Sequence, residues 1–170
     1  MWTTNEYAGR SLGGDWGLIE LNPDASGNYA GDYTGTLSAT WDQSTVHELY
    51  SMGYPYNGAF TLAQYGGGHY QYFCNTVWSS QSDVWQDTAN QYDGYVPLAI
   101  NPCGETGGAS GGPVFTDTDN AGGAWTIVGV NNRGPRVNGY TIGSQMMSFY
   151  FDDNFGTFYN DVVAQIDQGY

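Results

Sequence analysis

One serine, Ser110, stands among five glycines in the stretch CGETGGASGGPVF, residues 103–115. A serine hydroxyl is a weak nucleophile at neutral pH, and it attacks a carbonyl only when a neighbouring base takes its proton. Histidine serves as that base in the Ser-His-Asp arrangement, and the chain holds two histidines, His47 and His69. The sequence therefore raises the question of which residue, if any, activates Ser110.

The GASGG segment fits the G-x-S-x-G pattern of the α/β-hydrolase nucleophile elbow. That elbow requires a helix directly after the serine and a histidine later in the chain. Here Pro113 and two apolar residues follow, which predicts a strand, and no histidine comes after Ser110. This order excludes the elbow. A plain glycine-rich turn between strands stays open as an alternative.

A second pattern fits better, because TGGASGGPVF resembles the nucleophile segment G-x-S-G-G-P of chymotrypsin-like serine proteases. The likeness is greatest to the secreted bacterial trypsin-like branch near the glutamyl endopeptidases. The resemblance implies that Ser110 is the nucleophile. It also implies that the N–H groups of Gly108 and Ser110 form an oxyanion hole, where each donor contributes roughly 2.7–4 kcal/mol to catalysis.

Three further segments resemble the same family and follow its order along the chain. GGDWGLIEL, which begins at residue 13, resembles the catalytic-acid strand, and this makes Asp15 the residue expected to orient a histidine. The alternative for Asp15 is a turn aspartate that opens a strand. SMGYP, residues 51–55, resembles a segment early in the second barrel, and IVGVNNRG, residues 127–134, resembles the strand whose edge pairs with the substrate.

The family's catalytic histidine lies upstream of the aspartate, and no histidine precedes Asp15 in this sequence. We therefore expect His47 and His69 to be surface or hydrogen-bonded side chains rather than the base. Two explanations stay open: a fragment that lacks its first barrel, which we prefer, or a non-catalytic protein that kept the protease shape for binding or structure. For the chain alone, we expect a fluorophosphonate probe to label Ser110 slowly or not at all.

The resemblance also implies where the first side chain of a substrate binds. The segment before the serine and the strand after it supply this pocket through Gly104, Glu105, Asn131 and Asn132. Glu105 would repel an acidic side chain and favour arginine or lysine, unless its carboxylate points to solvent. Ala109 stands before the nucleophile where many animal relatives carry aspartate, which argues against a zymogen switch built on that carboxylate.

Composition excludes other classes of partner. Only 3 basic residues accompany 17 acidic ones, and a formal charge of -14 repels nucleic acid and anionic lipid. No apolar run approaches the roughly 20 residues that span a bilayer. We expect a polypeptide substrate and a missing N-terminal barrel as partners, with no nucleic acid, no membrane and no cofactor.

Two cysteines, Cys74 and Cys103, allow one disulfide bond. Their spacing excludes a C-x-x-C motif, and a metal site built from them would have to recruit His47 and His69. We prefer the disulfide and expect no metal. A disulfide indicates an oxidising compartment, so we expect a secreted, extracellular protein.

The residue types favour strands and tight turns over long helices, since the chain of 170 residues contains 26 Gly, 15 Tyr and 6 Trp. The aromatic residues leave carbohydrate binding open as a third function, if a row of coplanar rings is exposed; otherwise they fill cores and strand pairs. The runs that predict strands are DWGLIEL, TLSATW, VHELYSMGYP, GHYQYFCNTVW, GYVPLAI, AWTIVGVNN and YTIGSQMMSFYF.

The C-terminal region predicts one helix, capped by Asn154 or Thr157. Its apolar stripe consists of Phe155, Phe158, Tyr159, Val162, Val163 and Ile166. Together the elements predict an all-β, antiparallel barrel, because short strands need to hide their edges. By the resemblance it is chymotrypsin-like: residues 1–34 hold the aspartate strand of the first barrel and the connection, and residues 35–170 hold the second barrel and the C-terminal helix.

Overall fold

The structure is a computed structural model. It describes part of the chain, and for some strand residues it describes only the backbone. The described residues are 2–3, 16–42, 48–55, 71–77, 97–100, 108–117, 125–133, 136–137, 140–141 and 146–168.

Within these ranges the chain forms eleven strands and two helices. The strands are β1 (Trp2–Thr3), β2 (Gly17–Leu18), β3 (Ser38–Ala39), β4 (Glu48–Gly53), β5 (Tyr72–Val77), β6 (Pro97–Ile100), β7 (Pro113–Asp117), β8 (Trp125–Arg133), β9 (Arg136–Val137), β10 (Tyr140–Thr141) and β11 (Met146–Tyr150). The helices are α1 (Ala30–Thr34) and α2 (Asp153–Asp167). Each run that predicts a strand contains one, and the C-terminal helix is confirmed.

Seven strands form one mixed sheet. Six of them follow the antiparallel order β5-β4-β7-β8-β11-β6, and β3 pairs with β8 in parallel. The expected barrel is not closed in this sheet, since no pairing between its end strands β5 and β6 falls within the described residues. Two short ribbons stand apart from the sheet, β1 with β2 and β9 with β10.

The first core cluster lies on one face of β4, β7 and β8. Alternate residues of β4 point into it, so that Leu49 and Ser51 are buried while Tyr50 and Met52 between them are less so. Its apolar members are Leu49, Cys74, Ala109, Val114 and Val128. No described cysteine is a free thiol, but Cys103 lies outside the described residues, so the Cys74–Cys103 bond stays a prediction.

The second core cluster joins α2 to the sheet. Phe151 and Phe155 stack with their ring centroids 3.5 Å apart, and Trp16 meets both rings edge-on. Gly156 lies against the Trp41 ring, where a Cβ atom would clash. Most of the predicted apolar stripe is at least partly buried, although Val163 is 38% exposed.

The start of α2 differs from the prediction. The carboxylate of Asp152 accepts hydrogen bonds from the backbone N–H groups of Asn154 at 3.0 Å and Phe155 at 3.2 Å, so Asp152 is the N-cap. The predicted caps Asn154 and Thr157 instead lie inside the helix. The helix begins earlier because a carboxylate satisfies two N–H groups that otherwise have no partner within the helix.

The connection before β3 contains α1, a short helix that is not among the predicted elements. The Asp24 carboxylate accepts hydrogen bonds from the Ser26 and Asn28 backbone N–H groups, at 2.7 and 2.9 Å, and from the Tyr33 hydroxyl at 2.6 Å. These bonds, led by that from Tyr33, lower the pKa of Asp24 to about 2. The connection is therefore held by local polar contacts. No helix in the described part of the chain is long and apolar enough to cross a membrane.

Candidate active site

Ser110 occupies the corner of a tight turn. The Gly112 N–H donates to the Ala109 carbonyl at 3.0 Å, which closes a four-residue turn from Ala109 to Gly112. Gly111, at its third position, has φ 81°, a left-handed conformation that glycine adopts without strain and a type II turn requires there. The turn leaves Ser110 exposed to solvent.

Ala109 anchors this turn in the first core cluster, where it is 1% exposed. Its methyl group faces Gly53 of β4, and a Cβ atom added to Gly53 would stand 2.7 Å from the Ala109 Cβ atom. The turn and β4 therefore meet through two of the smallest residues, Ala109 and Gly53. Ala109 belongs to an apolar cluster, and a carboxylate at this position would lose its hydration.

The second half of the turn is fastened to β8. The Gly111 N–H donates to the Asn131 carbonyl at 2.7 Å, and the Asn131 N–H donates to the Gly112 carbonyl at 2.8 Å. Gly112 also passes close to the Met52 carbonyl of β4, where an added Cβ atom would clash. The turn thus lies between β4 and β8, at the end where β7 begins.

The two residues predicted to form the oxyanion hole flank Ala109. Gly108 has φ 104°, again a conformation that favours glycine, and both Gly108 and Ser110 are exposed. The backbone therefore dips into the core at Ala109 and returns to the surface on either side. Whether the two N–H groups converge on one point stays a prediction.

Asn131, predicted to line the substrate pocket, is only 2% exposed, and its side-chain amide donates to the Ser51 hydroxyl at 2.7 Å. Sequence reasoning missed Ser51, although it begins the SMGYP segment. Of Asn132, only the backbone in β8 is described. The other predicted site residues lie outside the described residues, namely Asp15, Gly104 and Glu105, together with His47 and His69.

The described aromatic residues Tyr50, Phe73, Phe115 and Trp125 of the sheet pack against one another, while Tyr29, Tyr33 and Tyr54 are exposed. Tyr50 stacks on Phe115 at 5.7 Å and meets the Trp125 ring edge-on at 4.8 Å. Phe115 is buried, and Phe73 lies at the edge of the group with about half of its surface exposed. These are cross-strand pairs of β4, β5, β7 and β8, which is the packing role weighed against carbohydrate binding.

No group of three or more His, Cys, Asp or Glu side chains in the described ranges is arranged to hold a metal ion. Three carboxylates do lie near one another, those of Asp42, Asp152 and Asp153. A hydrogen bond with Asp153 and the neighbouring negative charges raise the pKa of Asp42. These carboxylates lie at the start of α2 and belong to its capping region.

Comparison with known proteins gives a consistent picture of the fold. No protein-family model and no curated protein matches the chain. Among solved structures it is similar to the protease Anisep from Arthrobacter nicotinovorans, with a TM-score of 0.65 and 23% identity over 96% of this chain and 64% of that one. The fold is protease-like. The chain spans about two thirds of the length of Anisep.

A second similar structure is the thermostable serine protease AL20 from an extremophilic microorganism. Its TM-score is 0.56 at 22% identity, and the match covers 89% of this chain and 69% of that one. Identities this low show a shared fold alone, and the chemistry of Ser110 depends on its own surroundings.

Proposed function

We propose that the chain carries the nucleophile of a secreted, chymotrypsin-like serine endopeptidase. The observation that supports this most is the presentation of Ser110, exposed at the corner of a turn whose neighbours Ala109 and Gly112 are packed against β4. A rigid support of this kind suits a nucleophile, since small displacements of a reacting atom lower rates strongly. The likeness in fold to two proteases supports the same proposal.

In the proposed reaction the Ser110 oxygen attacks the carbonyl carbon of a peptide bond. The serine proton passes to a histidine, and the N–H groups of Gly108 and Ser110 stabilise the negative oxygen that forms. Collapse of this intermediate breaks the C–N bond, the amine takes the proton from the histidine, and water then hydrolyses the acyl-enzyme. Asp15 is proposed to orient the histidine, and an N-terminal barrel is proposed to supply it.

We further propose that β5 and β6 pair and close the sheet into the second barrel. They are the two ends of the antiparallel path β5-β4-β7-β8-β11-β6, and closure removes both exposed edges. A bond from the buried Cys74 to Cys103 would tie β5 to the segment before the nucleophile turn. That bond supports the proposed secretion, because disulfides persist in oxidising compartments.

The proposed substrate pocket lies beside Ser110, between the segment before the turn and β8. Gly104, Glu105 and Asn132 remain its proposed walls. Asn131 contributes to this wall through its backbone, because its side chain is turned into the core toward Ser51.

Labelling with a fluorophosphonate probe tests the nucleophile. In the chain alone we expect Ser110 to label slowly or not at all, and we expect added imidazole to accelerate labelling in proportion to its concentration, because a free imidazole can take the serine proton. Ser110→Ala abolishes this labelling. Ser26→Ala, which removes another exposed serine, leaves it unchanged.

One outcome would overturn the proposal, and a second would overturn only the assignment of the histidines. If Ser110 reacts no faster than Ser26, with or without imidazole, the protein is a non-catalytic relative that kept the protease shape. If Ser110 labels rapidly without imidazole, the chain supplies its own base, and the assignment of His47 and His69 as bystanders is wrong.

A further inference from the structure

A buried hydrogen bond joins the two strands that flank the nucleophile turn. The Asn131 side-chain amide of β8 donates to the Ser51 hydroxyl of β4 at 2.7 Å. Ser51 is 0% exposed and Asn131 is 2% exposed, so the bond is shielded from water. In the sheet, β7 lies between β4 and β8, so these two strands are about 10 Å apart. The hydrogen bond between the two side chains therefore spans the width of β7.

The same residue also holds the turn through its backbone. The Asn131 carbonyl accepts the Gly111 N–H, and the Asn131 N–H donates to the Gly112 carbonyl. One residue of β8 therefore contacts both glycines after the nucleophile and, through its side chain, β4 beneath them. The turn is linked to β4 by a directional bond as well as by packing.

The space around the turn leaves little freedom. Ala109 faces Gly53 at a distance that admits no further carbon atom, and Gly112 lies against the Met52 carbonyl. A change in the distance between β4 and β8 must consequently move the turn as a whole. Because a buried amide needs a partner, the hydrogen bond resists that change more strongly than apolar contact would.

We propose that Asn131 is a positioning residue, which acts with Ser51 to fix the nucleophile turn against β4 and so sets the orientation of Ser110. This role rests on the proposed function, in which Ser110 is the nucleophile. The mechanical part, that the bond holds the turn, is independent of any activity.

Amide hydrogen exchange measured by NMR tests the mechanical part. In Ser51→Ala, we expect protection of the Gly111 and Gly112 N–H groups to fall at least about tenfold relative to the Phe151 N–H, which bonds to the Val128 carbonyl away from the turn. The matched control is Thr116→Val, which removes another buried hydroxyl, 1% exposed, from the neighbouring strand β7. In this control, protection of all three groups should fall by the same factor.

Asn131→Ser is the second variant, since it keeps the backbone bonds of β8 and shortens the side chain beyond reach of Ser51. It should reproduce the loss at Gly111 and Gly112. The proposal is overturned if protection falls equally at all three N–H groups in both variants, because the bond would then contribute only to overall stability. It is also overturned if protection of the Gly111 and Gly112 N–H groups does not fall.

Imidazole-assisted labelling of Ser110 supplies the chemical readout. We expect the rate to fall at least about tenfold in Ser51→Ala and to change less than about twofold in Thr116→Val. If wild-type Ser110 fails to label, the proposed function fails, while the exchange result still decides whether Asn131 positions the turn. If Ser110 labels but Ser51→Ala does not slow it, the positioning role is wrong and the proposed function stands.

Discussion

At the scale of single residues, the turn that presents Ser110 is shaped by small side chains in tight places. Ala109 fills a space bounded by Gly53, and Gly112 allows close approach of the Met52 carbonyl. The glycines at 108 and 111 differ from these, because their positive φ angles rather than their size require glycine. Size and conformation thus constrain different residues of the same turn.

Ala109→Asp should destabilise the protein strongly. The added carboxylate would enter the cluster formed by Leu49, Val114 and Val128, where an unpaired charge costs more than about 3 kcal/mol. Urea unfolding monitored by tryptophan fluorescence measures the change. The control is Ala164→Asp on the exposed side of α2, for which we expect a loss of no more than about 1.5 kcal/mol, from lower helix propensity and the negative charge near the C-terminal end of the helix. Equal stability of the two variants would show that the Ala109 side chain is not in the core.

At the scale of elements, α2 depends on the polar cap that precedes it. Asp152→Ala removes both hydrogen bonds to the N–H groups of Asn154 and Phe155, and we expect a loss of about 1 kcal/mol in the free energy of unfolding. Asp161→Ala removes an exposed carboxylate from the same helix and should cost less than half as much. A loss in Asp152→Ala no greater than in Asp161→Ala would mean that another group caps the helix.

The connection that contains α1 should respond to acid through Asp24. Its folded pKa is lowered to about 2 from 3.8, so its contribution to stability is present above about pH 4 and is lost as the pH falls through about 2. Tyr33→Phe removes the largest cause of the lowered pKa, so the pKa of Asp24 should rise toward 3.8. NMR titration of the Asp24 carboxyl carbon measures this shift.

Tyr29→Phe is the matched control for that titration, because Tyr29 is an exposed tyrosine of the same connection. It should leave the Asp24 titration in place. An unchanged Asp24 pKa in Tyr33→Phe would mean that the two backbone N–H groups alone account for the low value.

At the scale of the whole molecule, net charge opposes the compact state. A formal charge of -14 spread over 170 residues produces mutual repulsion that unfolding relieves. We expect Tm to rise as sodium chloride increases from 0.01 to 0.5 M, since salt shortens the screening length from about 30 Å to a few ångströms. Differential scanning calorimetry measures Tm, and sucrose matched for osmolality controls for general solute effects. A Tm that falls with salt would indicate that attractive ion pairs dominate.

The sequence by itself determined the local features of this protein. Each predicted strand run contains a strand, the apolar stripe predicted α2, and Pro113 with the two apolar residues after it predicted β7. These features are local, because they depend on the turn and periodicity preferences of residues a few positions apart in the chain.

Only the tertiary structure decided which distant residues meet. Ser51 and Asn131 are 80 positions apart, and nothing in the type of either predicts the bond between them. The burial of Ala109, the cap at Asp152 and the strand order β5-β4-β7-β8-β11-β6 are likewise products of packing. The physical reason is that a buried polar group takes whichever partner the assembled core brings within hydrogen-bonding distance, and that choice is made only once the strands have paired.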